Sequence, residues 1–472
     1  MIDTQAIRCS VLQLAFSGKL TKQIEADGTA TSLLAQISPD KDIRKYDNLP
    51  YEIPDSWAWV RLADLYTINP KVEAENEAEA GFIPMEKISA GFSGSFSYVT
   101  QKWKQASKNH TRFKNNDVAF AKISPCFENR KSFIAFDLPN GIGGGTTELI
   151  ILRQSAMLPE YTYYTVLDQR FILAGSSSYR GIVGQQRVQS DIIKNYLIPV
   201  APYAEQQRIV EKIKHAFSVL DTIDTLQAQY ADNLTVLKAK LIDLAIQGKL
   251  TEQLPEDGTA EELYQQIQAE RQRQEGVGII KTVELAPDVS ETEMPFIIPI
   301  NWKWTNLGNV SYIVRGGSPR PIKQYITTRE DGINWIKIGD VEKGGKYIYS
   351  THEKIIPEGE SKSRRVYPGD FLLTNSMSFG RPYISKIEGC IHDGWLLIHN
   401  LNGFDSDYLY YLLSSSYLYG QFTEKASGST VENLNIDKVK AAMIPLPPLA
   451  EQKRIVAKLD EIFDTCDRLN EG

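Results

Sequence analysis

From Ala204 to Gln247 the apolar residues Ile209, Ile213, Phe217, Leu220, Ile223, Tyr230, Leu234, Leu237, Leu241 and Leu244 recur almost always three or four positions apart. That is the period of one helical face, and it approaches a coiled-coil seam. No Pro or Gly interrupts the stretch; Pro199 and Pro202 precede it and Gly248 follows it, the flanks of a helix start and stop. About 44 residues at ~1.5 Å each predict a rod of roughly 65 Å, which needs a partner. Matching stripes at Ile455, Val456, Leu459, Ile462, Phe463, Cys466 and Leu469, and at Ile7, Val11 and Leu14, predict a last and a first helix that pack antiparallel on it. Between these helices the period changes to two. SYVTQKW (97–103), DVAFAKI (117–123), SFIAFDL (132–138), ELIILR (148–153), INWIKIGDV (333–341) and DFLLTN (370–375) alternate as strands do.

The chain also repeats itself. VLQLAFSGKLTKQIEADGTATSLLAQI (11–37) returns as LIDLAIQGKLTEQLPEDGTAEELYQQI (241–267), and YEIPDSWAWVRLADLYTI (51–68) as FIIPINWKWTNLGNVSYI (296–313). IPVAPYAEQQRIVEKIKHAFSVLD (198–221) returns as IPLPPLAEQKRIVAKLDEIFDTCD (444–467). More faintly, 113–135 and 366–385 share a turn ending in Asp, an apolar strand and a polar loop. In the middle of the chain the AEQ helix runs directly into the GKL segment, whereas at the ends the GKL segment is first and the AEQ helix last. The repeat is circular, so joining the termini would complete a second copy of the central block. The paired tryptophans of IPxxWxW, Trp57 with Trp59 and Trp302 with Trp304, are expected to anchor the two intervening regions.

Composition adds little at first: 42% hydrophobic and 24% charged residues describe an ordinary globular chain. No apolar run approaches the ~20 residues of a membrane span, and MIDTQAIRCS lacks a basic segment followed by an apolar one, so a cytoplasmic protein is expected. Cys9, Cys126, Cys390 and Cys466 are scattered, without a CxxC pair, against a disulfide framework or zinc site. The net charge of -7 argues against a polyanionic partner only until its distribution is read. Residues 101–135 hold eight basic against two acidic side chains, and 311–386 thirteen against eight. Two basic islands in an acidic frame fit two DNA-facing surfaces.

The polar, glycine-bearing loops near those islands carry the residue types that contact phosphates and base edges. In the first region the candidates are Lys122, Ser124, Arg130, Lys131, Tyr179, Arg180, Gln185, Gln186 and Arg187. In the second they are Arg315, Ser318, Arg320, Asn375, Ser376, Ser378, Arg381, Ser427, Ser429 and Thr430. Catalytic chemistry finds less support. NGIGGGTTELIIL (140–152) has the glycines of a nucleotide loop but is followed by a strand-like run instead of a helix. Gly18-Lys19 and Gly248-Lys249 are each followed by Leu, which excludes a Walker sequence. The Pro447-Pro448 pair precedes Leu449, so no adenine-methyltransferase motif exists. Pro39-Asp40 and Glu353-Lys354 lie apart from any nuclease pattern, and His110, His215, His352, His392 and His399 show no metal spacing.

PPLAEQKRIVAKLDEIFD (447–464), its copy PYAEQQRIVEKIKHAF (202–217) and the GKL repeats together resemble the specificity subunit of type I restriction-modification systems, over nearly the whole chain. The resemblance implies an α+β architecture: two similar α/β target recognition domains separated by long antiparallel coiled-coil helices, with circular pseudo-two-fold symmetry. It divides the chain into helical regions at 1–40, 201–284 and 446–472 and recognition domains at 41–200 and 285–445. It implies a non-catalytic subunit that reads a bipartite, asymmetric site on double-stranded DNA and recruits two methyltransferase subunits and motor-nuclease subunits. No cofactor is expected on this chain; S-adenosylmethionine belongs to the methyltransferase and ATP and Mg to the motor-nuclease. A rigid helix could hold two readers near one duplex turn apart, about 34 to 36 Å. Partner docking is expected on exposed polar helix faces that include Glu205, Gln206, Arg208, Glu451, Gln452 and Arg454, although Glu and Gln in a first turn could equally serve as caps. A type IIB-like specificity subunit and a coiled-coil scaffold without DNA affinity are the competing readings.

Overall fold

The computed structural model describes residues 1–37, 46, 49–153, 157–181, 185–342, 344–375, 380–423 and 434–471. The chain forms two compact units, residues 2–228 and 229–472, the latter taking in Met1. One helix, Tyr203–Ile246, gives its first part to one unit and its last part to the other.

In the first unit the N-terminal helix, Thr4–Phe16, lies antiparallel to the start of that long helix. Thr4 Oγ1 donates to Asp224 at 2.5 Å and Arg8 Nη2 to Asp221 at 2.6 Å, while further along the chain Thr21 reaches Glu205. Arg8 is buried, which a guanidinium tolerates only when paired; Asp224 supplies a second carboxylate at 2.9 Å. Leu12 and Phe16 share a core with Ile209, Ile213 and Phe217. The second unit repeats the arrangement with the C-terminal helix, Leu449–Glu471. Lys238 donates to Asp467 at 2.6 Å and Thr251 to Glu451 at 3.2 Å, and Ala245 and Ile246 pack with Ile455, Val456 and Leu459. The antiparallel pairing expected of the first and last helices is thus present in each unit, but Ile7, Leu14, Tyr230, Leu237, Leu244 and Leu469 of the expected stripes are exposed instead of packed in it.

The GKL repeat is a helix stop. Lys19 and Lys249 donate their backbone N–H back to Leu14 and Leu244 at 2.9 and 3.0 Å, satisfying carbonyls that the ending helix leaves open. Gly18 and Gly248 sit at φ +70 and +69, and a Cβ there would lie 2.3 Å from Pro54 or 2.4 Å from Pro299. Only glycine meets both demands.

Beside a two-stranded sheet, each unit carries two larger sheets of matching topology among the described residues. In the first, Thr67–Ile68, Leu149–Arg153, Val118–Ala121 and Ser132–Ile134 lie side by side in that order; in the second, Ser311–Arg315, Trp395–Asn400, Phe371–Thr374 and Pro382–Ser385 do the same, with Tyr347–Ile348 added at the edge. The other sheet pairs Glu79–Ile83 in parallel with Ile142–Gly145 in the first unit and Ile333–Ile336 in parallel with Gly389–Ile391 in the second. The faint repeat around Asp117 and Asp370 now has a cause. Each buried carboxylate accepts the backbone N–H three residues back, from Lys114 or Tyr367, at 2.8 Å. Each also takes a basic side chain at the same register of the neighbouring strand, Arg153 Nη2 at 2.6 Å or His399 Nδ1 at 2.6 Å. The glycine run 143–145 is a strand, not a phosphate loop: a Cβ on Gly144 would lie 1.9 Å from the Ala106 carbonyl oxygen. Among the described residues no helix is long and apolar enough to cross a membrane.

Candidate nucleic-acid interface

The AEQ repeat is buried in each unit and does not form an exposed face. Glu205, Gln206, Glu451 and Gln452 are 1, 0, 0 and 0% exposed, which corrects the expectation of accessible polar positions there. Glu205 Oε2 accepts the Trp57 indole N–H at 2.8 Å, and its Oε1 accepts Thr21 Oγ1 at 2.8 Å and Gln23 Nε2 at 2.7 Å. Glu451 repeats this with Trp302 at 2.8 Å, Thr251 at 3.2 Å and Gln253 at 2.9 Å. Gln206 Nε2 donates to the Ala201 carbonyl at 2.9 Å, and Gln452 Nε2 to the Pro447 and Gly403 carbonyls at 3.0 and 3.1 Å. Arg208 and Arg454, half-buried, pair with Asp27 at 2.6 Å and Asp257 at 2.7 Å. The strand that holds the second tryptophan of each pair, Ala58–Arg61 or Lys303–Asn306, runs against the strand entering the AEQ helix in identical register, Trp59 opposite Pro199 and Trp304 opposite Pro445. Each AEQ motif therefore ties its reader domain to the helical connector, a role that the joint duplication of WxW, GKL and AEQ could have suggested.

In the first unit several candidates separated in sequence meet in space. Ser124 donates its N–H to the Gln186 carbonyl at 2.8 Å, Val188 donates to Lys122, and Arg180 and Arg187 exchange backbone hydrogen bonds at 3.0 and 3.2 Å. Lys122, Ser124, Arg180, Gln185, Gln186 and Arg187 thus form one continuous polar edge. The Arg180 side chain is exposed and has no partner among the described residues. Arg187 clasps Glu148 through Nε at 2.9 Å and Nη2 at 2.7 Å. Three candidates are occupied otherwise. Arg130 lies over the Phe92 ring at 4.9 Å, donates to the Leu167 carbonyl at 3.0 Å and contacts Gln169. Lys131 Nζ donates to the Met85 carbonyl at 2.9 Å. Tyr179 packs on Phe127, and burial followed by the adjacent Glu128 carboxylate pushes its phenol up.

In the second unit four candidates converge on a residue that the loop reading missed. Asp393 accepts Ser318 Oγ at 2.9 Å and Arg320 Nη2 at 3.3 Å through its carboxylate, and Arg315 Nε at 3.3 Å and Asn375 Nδ2 at 3.5 Å through its carbonyl. Ser318, Arg320 and Asp393 border a groove of about 1000 Å³, whose lining also includes Lys323, Trp335, Lys337, Glu353 and His392. Arg381 is exposed beside a second cavity of about 990 Å³, with no side-chain partner among the described residues. Ser376, Ser378, Ser427, Ser429 and Thr430 lie outside the described residues.

His392 sets the turn that carries Asp393. Its Nδ1 faces the Gly394 N–H at 2.8 Å and its Nε2 the Ile338 N–H at 3.2 Å. Burial lowers the imidazole pKa, against the opposing pull of Asp393. The folded form thus prefers neutral histidine, so its contribution is complete above the unfolded pKa of about 6.5 and is lost as pH falls toward the folded value. Urea midpoints should accordingly drop further between about pH 7.5 and 5.5 in the wild type than in His392→Gln; equal drops would remove His392 as the cause.

Two units of one topology, each presenting a polar, cation-bearing edge and each fixed to a helical connector by the same buried motif, define a paired reader of polyanionic ligands. The profile described as "Type I restriction modification DNA specificity domain" matches residues 54–229 and 299–472, and the chain belongs to that family. It is 29% identical to the type I restriction enzyme EcoEI specificity subunit of Escherichia coli and 28% identical to the EcoAI specificity subunit of the same organism. Each alignment covers 98% of this chain and 89% of the relative. In structure it is similar to the HsdS subunit of Thermoanaerobacter tengcongensis, at a TM-score of 0.51 and 19% identity over 90% of this chain and 94% of the other. A chain from a structure of type I R-M system complex assembly and conformational transition gives a TM-score of 0.61 at 19% identity, over 89% and 94%.

Proposed function

We propose that this chain is the non-catalytic subunit that gives a type I restriction-modification complex its DNA sequence, each unit reading one half of a bipartite, asymmetric site on double-stranded DNA. The observation that carries the reading is the duplicated reader: one topology with different residues on the polar edge, Lys122, Arg180 and Arg187 in one unit and Arg315, Arg320 and Arg381 in the other. Equal folds with unequal edges select unequal half-sites. Methylation-aware sequencing of the host genome with and without this gene tests it: one split motif should lose its methylation when the gene is removed, and an unchanged methylome would refute it. Arg381 offers a finer test. An arginine reading a base contributes ~1–3 kcal/mol of discrimination, so Arg381→Ala should relax one half-site and leave the other intact.

The methylation and cleavage chemistry then lies in partners, with S-adenosylmethionine on methyltransferase subunits and ATP and Mg on motor-nuclease subunits. Two equivalent docking positions are supported by the repeat. Ile7 and Leu14 on the N-terminal helix are 40 and 44% exposed, and their counterparts Leu237 and Leu244 on the long helix 44 and 41%. Seven residues apart, each pair shares a helical face, and apolar side chains kept exposed at matching places suit two copies of one helical partner.

A further inference from the structure

The same connection in both units carries an acid where a DNA reader would be expected to carry none. Glu148 lies in the turn between Ile142–Gly145 and Leu149–Arg153, and Asp393 in the turn between Gly389–Ile391 and Trp395–Asn400. These are equivalent strands of the repeated fold. Each acid holds an exposed arginine, but the arginines come from unrelated places: Arg187 lies between the helices Gln169–Ser176 and Ser190–Asn195 of the first reader, Arg320 after the strand Ser311–Arg315 of the second. The sequence repeat does not supply this pairing; the two units reach it separately.

Both acids are ionised. The Arg187 hydrogen bond keeps Glu148 below the usual carboxylate range despite partial burial. Burial opposes ionisation of Asp393, but the Ser318 hydroxyl, its own backbone N–H, His392 and Arg320 together outweigh it. A carboxylate on a surface that meets phosphates costs affinity, since it repels them and neutralises the nearest cation. What it can supply is discrimination. A free arginine binds any phosphate, whereas one clasped by a carboxylate at 2.7 or 3.3 Å leaves only when other contacts compensate. Non-specific duplex offers the phosphate alone; the correct half-site offers base edges as well.

We propose that Glu148 and Asp393 are specificity-setting counter-ions, positioning residues that withhold Arg187 and Arg320 from DNA of the wrong sequence. This rests on the DNA-reading function proposed above. It is tested on the full chain with its methyltransferase partner, by fluorescence anisotropy on a random-sequence duplex and on a duplex bearing the genomic motif, across a salt series. Asp393→Asn and Glu148→Gln should each strengthen binding to the random duplex by up to about tenfold near 50 mM salt and steepen its log–log salt slope by ~1, as one more phosphate contact does. The ratio of motif to random affinity should fall. Adding Arg320→Gln to Asp393→Asn, or Arg187→Gln to Glu148→Gln, should cancel the gain on the random duplex, which also distinguishes a freed arginine from a disturbed turn. Unchanged or weaker random-duplex binding with the motif affinity lost would overturn the proposal and make Asp393 a direct acceptor from a base. If the wild-type complex binds neither duplex, the DNA-reading function itself fails.

Discussion

Glu451→Ala should lower the stability of the second unit by about 2–4 kcal/mol, among the largest losses that one polar substitution in this chain can cause. The side chain is fully buried and its two oxygens accept three donors, Trp302 Nε1, Gln253 Nε2 and Thr251 Oγ1. Removing it strands the indole N–H in a closed interior, where an unmet donor costs far more than a hydrogen bond ordinarily contributes. The same change unfastens the WxW strand and the GKL turn from the C-terminal helix, so the loss falls on the joint between reader and connector. Glu451→Gln retains one acceptor oxygen and should lose about half as much. Glu205→Ala should act alike in the first unit through Trp57, and because each motif's partners belong to its own unit the two effects should add. Urea midpoints of the full chain, with the exposed Glu291→Ala as control, measure this; a Glu451→Ala midpoint indistinguishable from the control's would mean that the buried carboxylate is dispensable.

The same motif marks where sequence reading succeeds and where it stops. The long helix, its two antiparallel partners and the circular repeat are legible because burial of one face imposes a period, and because duplicated segments solve the same packing problem twice. From sequence, Glu205, Gln206, Glu451 and Gln452 look accessible because a charged residue in a helix's first turn is ordinarily solvated. Nothing local reveals that the tryptophan, 148 or 149 residues away, folds over it. The reader loops were legible as a class but not as a geometry. Asp393 lies 75 and 73 residues from Ser318 and Arg320 in sequence, and they meet because antiparallel pairing of Ser311–Arg315 with Trp395–Asn400 brings the 392–394 turn beside the loop that follows Arg315. Arg130 shows the converse: its residue type suited a phosphate, and its surroundings instead wrap it around Phe92 and the Leu167 carbonyl.

If methyltransferase subunits dock as proposed, the number bound should fall stepwise as the exposed apolar pairs are charged. Ile7→Glu with Leu14→Glu should leave one partner, Leu237→Glu with Leu244→Glu the other, and the fourfold variant none, as read by native mass spectrometry of the reconstituted complex. With about two-fifths of each side chain left to bury, docking one such residue against a partner contributes about 0.6–1.3 kcal/mol. A pair turned to carboxylates forfeits that twice and must also desolvate charge, which weakens its site at least about tenfold. Each double variant should still fold, because two-fifths or more of each side chain already faces solvent, and its urea midpoint checks this. The two double variants should be interchangeable in their effect, since the GKL segments that carry Leu14 and Leu244 are copies with the same helix stop. A fourfold variant that retains both partners would move docking elsewhere; loss of both partners from either double variant would mean that the pairs are not equivalent halves of one repeated site.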